Sequence, residues 1–241
     1  MDDAAFLADY DPNAFERPSV AVDLVLMTVV DGAPAALLMR RPAPPQQGCW
    51  ACPGGFVGMA ESLDEAAHRL LREKARMQGA YVEQLYTFGA PDRDPRTRII
   101  SVAYFALLPA DRFAAAMAAG DDLTLARIAV PWAGEAGGPV EALAPDGTPL
   151  PLAFDHGDML GLAVLRLRGK LDYSAVAFAL LPERFTLRAL QSVHEAILGA
   201  PLNKPAFRRR MLDRGWLEPT GEREVGTSFR PPELYRFRAT A

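Results

Sequence analysis

With 241 residues, half of them hydrophobic and 23% charged, the chain has the size and composition of a soluble globular protein of two domains, not of a disordered or fibrous one. Its formal net charge of −4 is unevenly spread: residues 1–182 carry 15 Lys+Arg against 23 Asp+Glu, and residues 183–241 carry 11 against 7. A basic module therefore follows an acidic body.

Residues 1–18 read as an N-terminal arm. The apolar run "SVAVDLVLMTVV" at 19–30 is interrupted by Asp23 and is too short to span a bilayer. No basic segment precedes it, so the expectation is a cytoplasmic protein with no membrane anchor. Ala21–Val30 and Pro34–Arg40 read as two strands joined by a turn at "DGAP", because β-branched and apolar residues flank turn formers. "PAPPQQG" is a loop. The pair Cys49 and Cys52 has the spacing of a redox or half-zinc motif, but with no further cysteine in the chain two buried thiols are expected.

From Ser62 the apolar period changes from strand to helix. Leu63, Ala66, Ala67, Leu70 and Leu71 share one side, and Ser62 with Glu65 forms a capping box. Tyr81–Phe88 and Ile99–Leu108 read as strands around the charged loop "GAPDRDPRTR", and a short helix ends near Gly120. The Gly/Pro-rich stretch that follows suits a hairpin with a "PDG" turn, after which Asp155 is expected to cap a helix running to about Leu171. Strands and helices alternating in this way make an α/β layer domain, assigned to residues 19–174.

Residues 175–241 read differently. Thr186 caps a helix with an apolar stripe at Leu187, Leu190, Val193, Ile197 and Leu198. Asn203 caps a second helix that ends at Gly215, with Phe207 and Met211 inward and Lys204, Arg208 and Arg209 outward. Two strand-like pieces around a turn complete the order of a winged helix-turn-helix, whose basic face suits double-stranded DNA. Thr186 and Arg230 complete the set of expected DNA-binding residues, Arg230 as the clearest cation of the wing.

Gly55, five residues, Glu61, seven residues, Arg69 has the spacing of the Nudix box, and the preceding "GCWACPGGFV" strengthens the resemblance. In that family the helix goes on to present glutamates that hold Mg²⁺ on a diphosphate. Here the corresponding positions are Leu70, Glu73 and Lys74, with Arg76 in place of a glycine. A Glu-to-Lys change moves the local charge by two units, each worth about 4 kcal/mol at ~4 Å and an effective dielectric near 20. No catalytic residue and no required cofactor are therefore assigned, and at most weak Mg²⁺ binding at Glu73 is expected. Gly55, Glu61, Arg69 and Glu73 remain as remnants of the box. Lys74 either takes the metal's place beside a diphosphate or faces solvent.

"PDRDPRTRIISVAYF" resembles the corresponding segment of Nudix proteins that handle ADP-ribose, which makes Arg93, Arg96 and Arg98 candidate phosphate ligands. Arg40 is a further candidate, placed ahead of Arg41. Phe56 or Tyr104 could stack on adenine. Joined to the tail, these features resemble the Nudix-related transcriptional regulators of the NrtR family, over about residues 19–238. That resemblance implies a Nudix α/β/α sandwich with a mixed sheet, followed by a small winged helix-turn-helix domain. It also implies a homodimeric repressor of operator DNA that senses ADP-ribose or a relative, typically in NAD metabolism. The alternatives are a metal-dependent hydrolase of ADP-ribose-like compounds with a dimerising tail, and a metabolite-binding module whose tail meets protein or RNA.

Overall fold

A computed structural model of the chain describes residues 2–225 and 231–238. The arm, to which the sequence reading gave no element, carries a short exposed helix α1 (Asp3–Asp9) capped by Asp2. The body then runs β1 (Ser19–Val30), β2 (Ala33–Arg40), β3 (Trp50–Ala51), β4 (Gly54–Phe56), α2 (Leu63–Glu73), β5 (Glu83–Phe88), β6 (Ile99–Leu107), α3 (Asp111–Ala118), β7 (Leu123–Ala129), β8 (Glu141–Leu143), β9 (Pro149–Leu150) and α4 (His156–Lys170). A 3-10 turn at Val176–Leu180 leads into β10 (Phe185–Thr186), α5 (Leu187–Leu198), α6 (Lys204–Asp213), β11 (Leu217–Arg223) and β12 (Glu233–Phe237).

The main sheet has the order β5-β6-β1-β2-β7-β8-β9, with β3 paired to β2 and β4 paired to β1. It is mixed: β1 runs parallel to β6 and antiparallel to β2 and β4. Residues 22–28 of β1 are all buried, without the alternation of a one-faced strand. That pattern belongs to a central strand covered on both sides. On one side α2 sets Ala66, Ala67, Leu70 and Leu71 against Val22, Leu24 and Leu26. On the other, Val25 and Met27 belong to a larger cluster with α4 and α5.

That second cluster bears on the domain boundary. Met159, Leu160 and Val164 of α4 share it with Leu190 and Ile197 of α5, Met211 of α6 and Tyr235 of β12. The winged helix is thus packed directly on the sandwich, with one continuous apolar core crossing the assigned boundary at 174/175. The sequence alone does not place β3, β4 or β7, and three of its expectations change. The strand expected from Tyr81 begins at Glu83. Cys52 is buried but Cys49 is only half-buried, and both are free thiols. Asp155 stands at the N-cap of α4 without a capping hydrogen bond, because its carboxylate is engaged elsewhere. No helix among the described residues is long and apolar enough to cross a membrane.

Candidate functional site

A cleft of about 210 Å³ opens where β1, β2, β4 and the 91–98 loop meet the start of α4. Two glycines let the backbone pass close to its wall. A Cβ on Gly54 would stand 2.0 Å from Oδ1 of Asp23, and one on Gly55 would stand 2.9 Å from Cδ2 of Leu70. Asp23, nearly buried, accepts from the Ser101 hydroxyl at 2.5 Å, so β1 and β6 are pinned together beneath the cleft.

The loop after β4 is held by the remnant ion pair. Glu61 accepts from Arg69 at 2.6 and 2.9 Å and from the Gly58 N–H at 2.6 Å. Hydrogen bonding from Arg69, then from Gly58, brings the Glu61 acid down to about 2. Arg69 also donates to the Phe56 carbonyl at 3.0 Å and reaches Glu73 at 3.4 Å. The Glu61–Arg69 pair thus fixes loop to helix.

The metal positions do not fit a metal. Leu70 is 1% exposed and lies in the core under Gly55, Glu73 is shared with Arg69, and Lys74 is an exposed cation at the C-cap of α2. Among the described residues no group of three or more His, Cys, Asp or Glu gathers to hold an ion. One carboxylate already shared with Arg69, beside an ammonium and a buried leucine, is a poor donor set for Mg²⁺. Arg76, at the box glycine's place, adopts φ 55°, the left-handed conformation glycine favours. It is held there by a 2.6 Å ion pair to Asp122.

The cleft brings together Gly55, Phe56, Arg93 and Arg96 of the expected set, and leaves out Arg40, Lys74 and Arg98. Arg40 is exposed on a neighbouring surface with Gln47, Asp121 and Asp122, which Arg41 also borders, and of the two only Arg41 lines the cleft. The period of two explains the swap, since Arg41 shares a side with Met39, another lining residue. Lys74 likewise stands on the side of the Arg76–Asp122 pair. Arg98 donates to the Ala90 carbonyl at 3.0 Å and closes the base of its loop. Tyr104 is buried in the sheet, with its hydroxyl on Asp64 at 2.6 Å, and is no stacking platform.

Electrostatically the cleft holds two paired arginines and a third without a carboxylate partner among the described residues. Arg93 gives two hydrogen bonds to Asp155, at 2.8 and 2.6 Å. Arg96 does the same to Asp94, at 3.0 and 2.7 Å, and its guanidinium lies 5.6 Å from the Phe56 ring. Among the described residues Arg41 has no carboxylate partner: it donates to the Pro45 carbonyl at 3.0 Å and lies over Phe154. Burial, then the nearby Arg96 charge, lowers its pKa. An incoming anion would relieve that repulsion. Phe56 is half-exposed and offers a ring face to a base. The sequence alone ranks Arg41 behind Arg40, takes Asp155 for a helix cap and gives His156 no place in the cleft.

The second candidate surface is on the winged helix. Thr186 spends its hydroxyl on the Ala189 N–H as the N-cap of α5 and is buried, so its part at the surface is to aim the helix. Lys204, Arg208 and Arg209 are exposed along α6, whose N-cap Asn203 accepts from Ala206 N–H at 3.0 Å. Phe207 and Met211 are buried on the side opposite Arg209. A small cleft beside them is lined by Arg188, Lys204, Arg208 and Tyr235, and Arg188 adds a cation the sequence reading passed over. Arg210 is drawn off toward Asp172. Arg230 lies outside the described residues.

Against this geometry stand the likenesses. The family model described as the NrtR DNA-binding winged helix domain matches residues 177–237, and that of the NUDIX domain matches residues 17–128. An ADPR responsive transcriptional repressor of Acinetobacter baylyi is 37% identical over 97% of this chain and 87% of its own length. The crystal structure of Shewanella oneidensis NrtR complexed with a 27mer DNA superposes with TM-score 0.74 and 33% identity, covering 91% of this chain and 93% of that one. The NUDIX domain of the same Shewanella protein, complexed with ADP ribose, superposes with TM-score 0.50 and 31% identity, covering 69% of this chain and 99% of that one.

Proposed function

The chain belongs to the NrtR family of Nudix-related transcriptional regulators, and from that premise we propose that it represses transcription by binding operator DNA through its winged helix, under control of ADP-ribose or a related nucleotide. The ligand occupies the arginine-lined cleft, with its diphosphate against Arg41 and Arg96 and its base against Phe56. The DNA takes Lys204, Arg208 and Arg209 as backbone contacts, with Arg188 at the rim. The protein acts as a homodimer, so that two winged helices meet two operator half-sites. Operator binding keeps it in the compartment that holds the DNA.

One observation carries the regulatory reading over the hydrolytic one: Leu70, at a metal-ligand position of the box, is sealed in the core directly under the cleft floor. On this reading the arginines of the cleft bind a diphosphate, while its carboxylates are taken up by Arg93, Arg96 and Ser101 and do not activate water. The protein is therefore assigned no pyrophosphatase activity.

The test is fluorescence anisotropy of labelled DNA from the protein's own upstream region, at low salt, with and without ADP-ribose. Tight binding that ADP-ribose changes supports the reading, and no binding at low salt overturns it. Incubation with ADP-ribose and Mg²⁺ or Mn²⁺ should release no AMP.

A further inference from the structure

Helix α4 begins in the cleft and ends against the winged helix. His156, its first residue, is 4% exposed and lines the cleft. Its Nδ1 accepts the Cys52 N–H at 3.0 Å, which leaves the neutral ring's proton on Nε2. Burial lowers the pKa of this imidazole, in a setting that also holds Asp23, Asp155, Arg93 and Arg41. Among the described residues no acceptor takes the Nε2–H, so a fixed neutral donor stands unpartnered in the wall of the cleft. The preceding residue belongs to the cleft too, since Asp155 gives both carboxylate oxygens to Arg93.

At the other end, Arg168 is 6% exposed. Its Nε donates to the carbonyl of Ile197 at 2.8 Å, in the last turn of α5, where the backbone has run out of helical partners. Its Nη1 donates to the carbonyls of Gly134 at 2.7 Å and Trp132 at 3.3 Å, and the guanidinium lies 4.6 Å from the Trp132 ring. One buried guanidinium thus ties α4, α5 and the 132–134 strap. Between the two ends α4 has no slack: Met159, Leu160, Ala163 and Val164 are fully buried, and the carbonyl of Gly138 would lie 2.0 Å from a Cβ on Gly161. A packed helix of this kind moves as a body.

We propose that α4 couples the two sites: an oxygen of the bound ligand takes the Nε2–H of His156, and the resulting shift of α4 reaches the DNA-binding unit through the hold of Arg168 on the end of α5. This rests on the regulatory reading above and names the residues through which it works. Arg168 is a positioning residue, touching neither ligand nor DNA.

Two variants and one measurement on the unmodified protein test it. His156→Phe fills the same space without a donor and should weaken ADP-ribose binding about tenfold by calorimetry. Arg168→Lys keeps the charge but loses the fork that reaches three carbonyls. It should bind ADP-ribose as the wild type does, while the ratio of DNA affinities with and without ADP-ribose, typically about tenfold for such coupling, falls toward one. In the wild type, ADP-ribose should alter hydrogen exchange at Ile197, Leu198 and Gly199. Unchanged ADP-ribose affinity in His156→Phe, or the full wild-type ratio in Arg168→Lys, overturns the proposal. Should Arg168→Lys fail to fold, unaltered exchange at the end of α5 does so. A wild-type protein whose DNA binding ignores ADP-ribose fails the regulatory reading itself, a result the variants cannot mimic.

Discussion

Arg93 and Asp155, 62 residues apart in the chain, meet through two parallel hydrogen bonds of 2.8 and 2.6 Å, with 5% of the Arg93 side chain exposed. The pair closes the 91–98 loop onto the start of α4 and sets one wall of the ligand cleft. Removing one partner of such a pair leaves a charge in an apolar setting, at a cost of about 3 kcal/mol. Asp155→Ala should therefore lower stability by about that amount in urea unfolding, and Arg93→Met/Asp155→Ala should recover much of it. Equal unfolding midpoints for Asp155→Ala and the wild type would mean that the pair does not hold the loop.

The two lost metal positions should respond in opposite ways to restoration. Leu70→Glu puts a carboxylate in the core beneath Gly55, where it must stay neutral or open the helix, and a loss of about 3 kcal/mol or more is expected. Lys74→Glu changes an exposed side chain at the end of α2 and should leave the melting temperature nearly unmoved. Adding both should yield an unstable protein, with no release of AMP in the presence of Mg²⁺. Stable, metal-dependent turnover by the double variant would show that the site had kept its catalytic geometry.

How much of this was legible in the sequence depends on the range of the interaction. The capping box of Ser62 and Glu65 spans three residues and local spacing identified it, whereas Glu61 and Arg69, eight residues apart, stood out through the resemblance to the Nudix box. Local spacing also placed the apolar runs of β1 and β2 within two residues. The cleft wall was not legible. Asp155 has the residue type and place of an N-cap, and only the fold reveals that a buried arginine outcompetes the α4 N–H groups for it. His156 meets Cys52 across 104 residues, beyond any local pattern. Arg40 was chosen over Arg41 although the alternation along β2 could have decided the matter.

Acid should release the loop after β4. The Glu61 acid stands at about 2, below an ordinary value of 4.5, because Arg69 and the Gly58 N–H bind its charged form. A depressed carboxylate contributes its stability in full above the ordinary value and loses it as pH falls through the lowered one. The wild type should therefore lose stability relative to Glu61→Gln between about pH 4.5 and pH 2, and parallel the variant above that window. Thermal melts across this range check it, and a constant difference down to pH 2 would show that Arg69 does not hold Glu61.

The basic face of α6 should declare itself through salt. Arg209 is exposed, has no ion pair among the described residues, and sits two positions before the buried Met211. Arg210, beside it, already leans on Asp172 at 3.4 Å. A phosphate contact adds counterion release and therefore contributes to the slope of log affinity against log salt, about 0.9 per phosphate neutralised. Arg209→Ala should weaken DNA binding on every sequence tested and reduce that slope by about one, and Arg208→Ala should do the same. Arg210→Ala should change the slope little, because its cation is partly neutralised within the protein. Calorimetry on Arg209→Ala should return the wild-type ADP-ribose affinity, since the cleft is built from β1, β2, β4 and the 91–98 loop with no residue of α6. A slope unchanged in both Arg208→Ala and Arg209→Ala would move the DNA from α6 to another face of the protein.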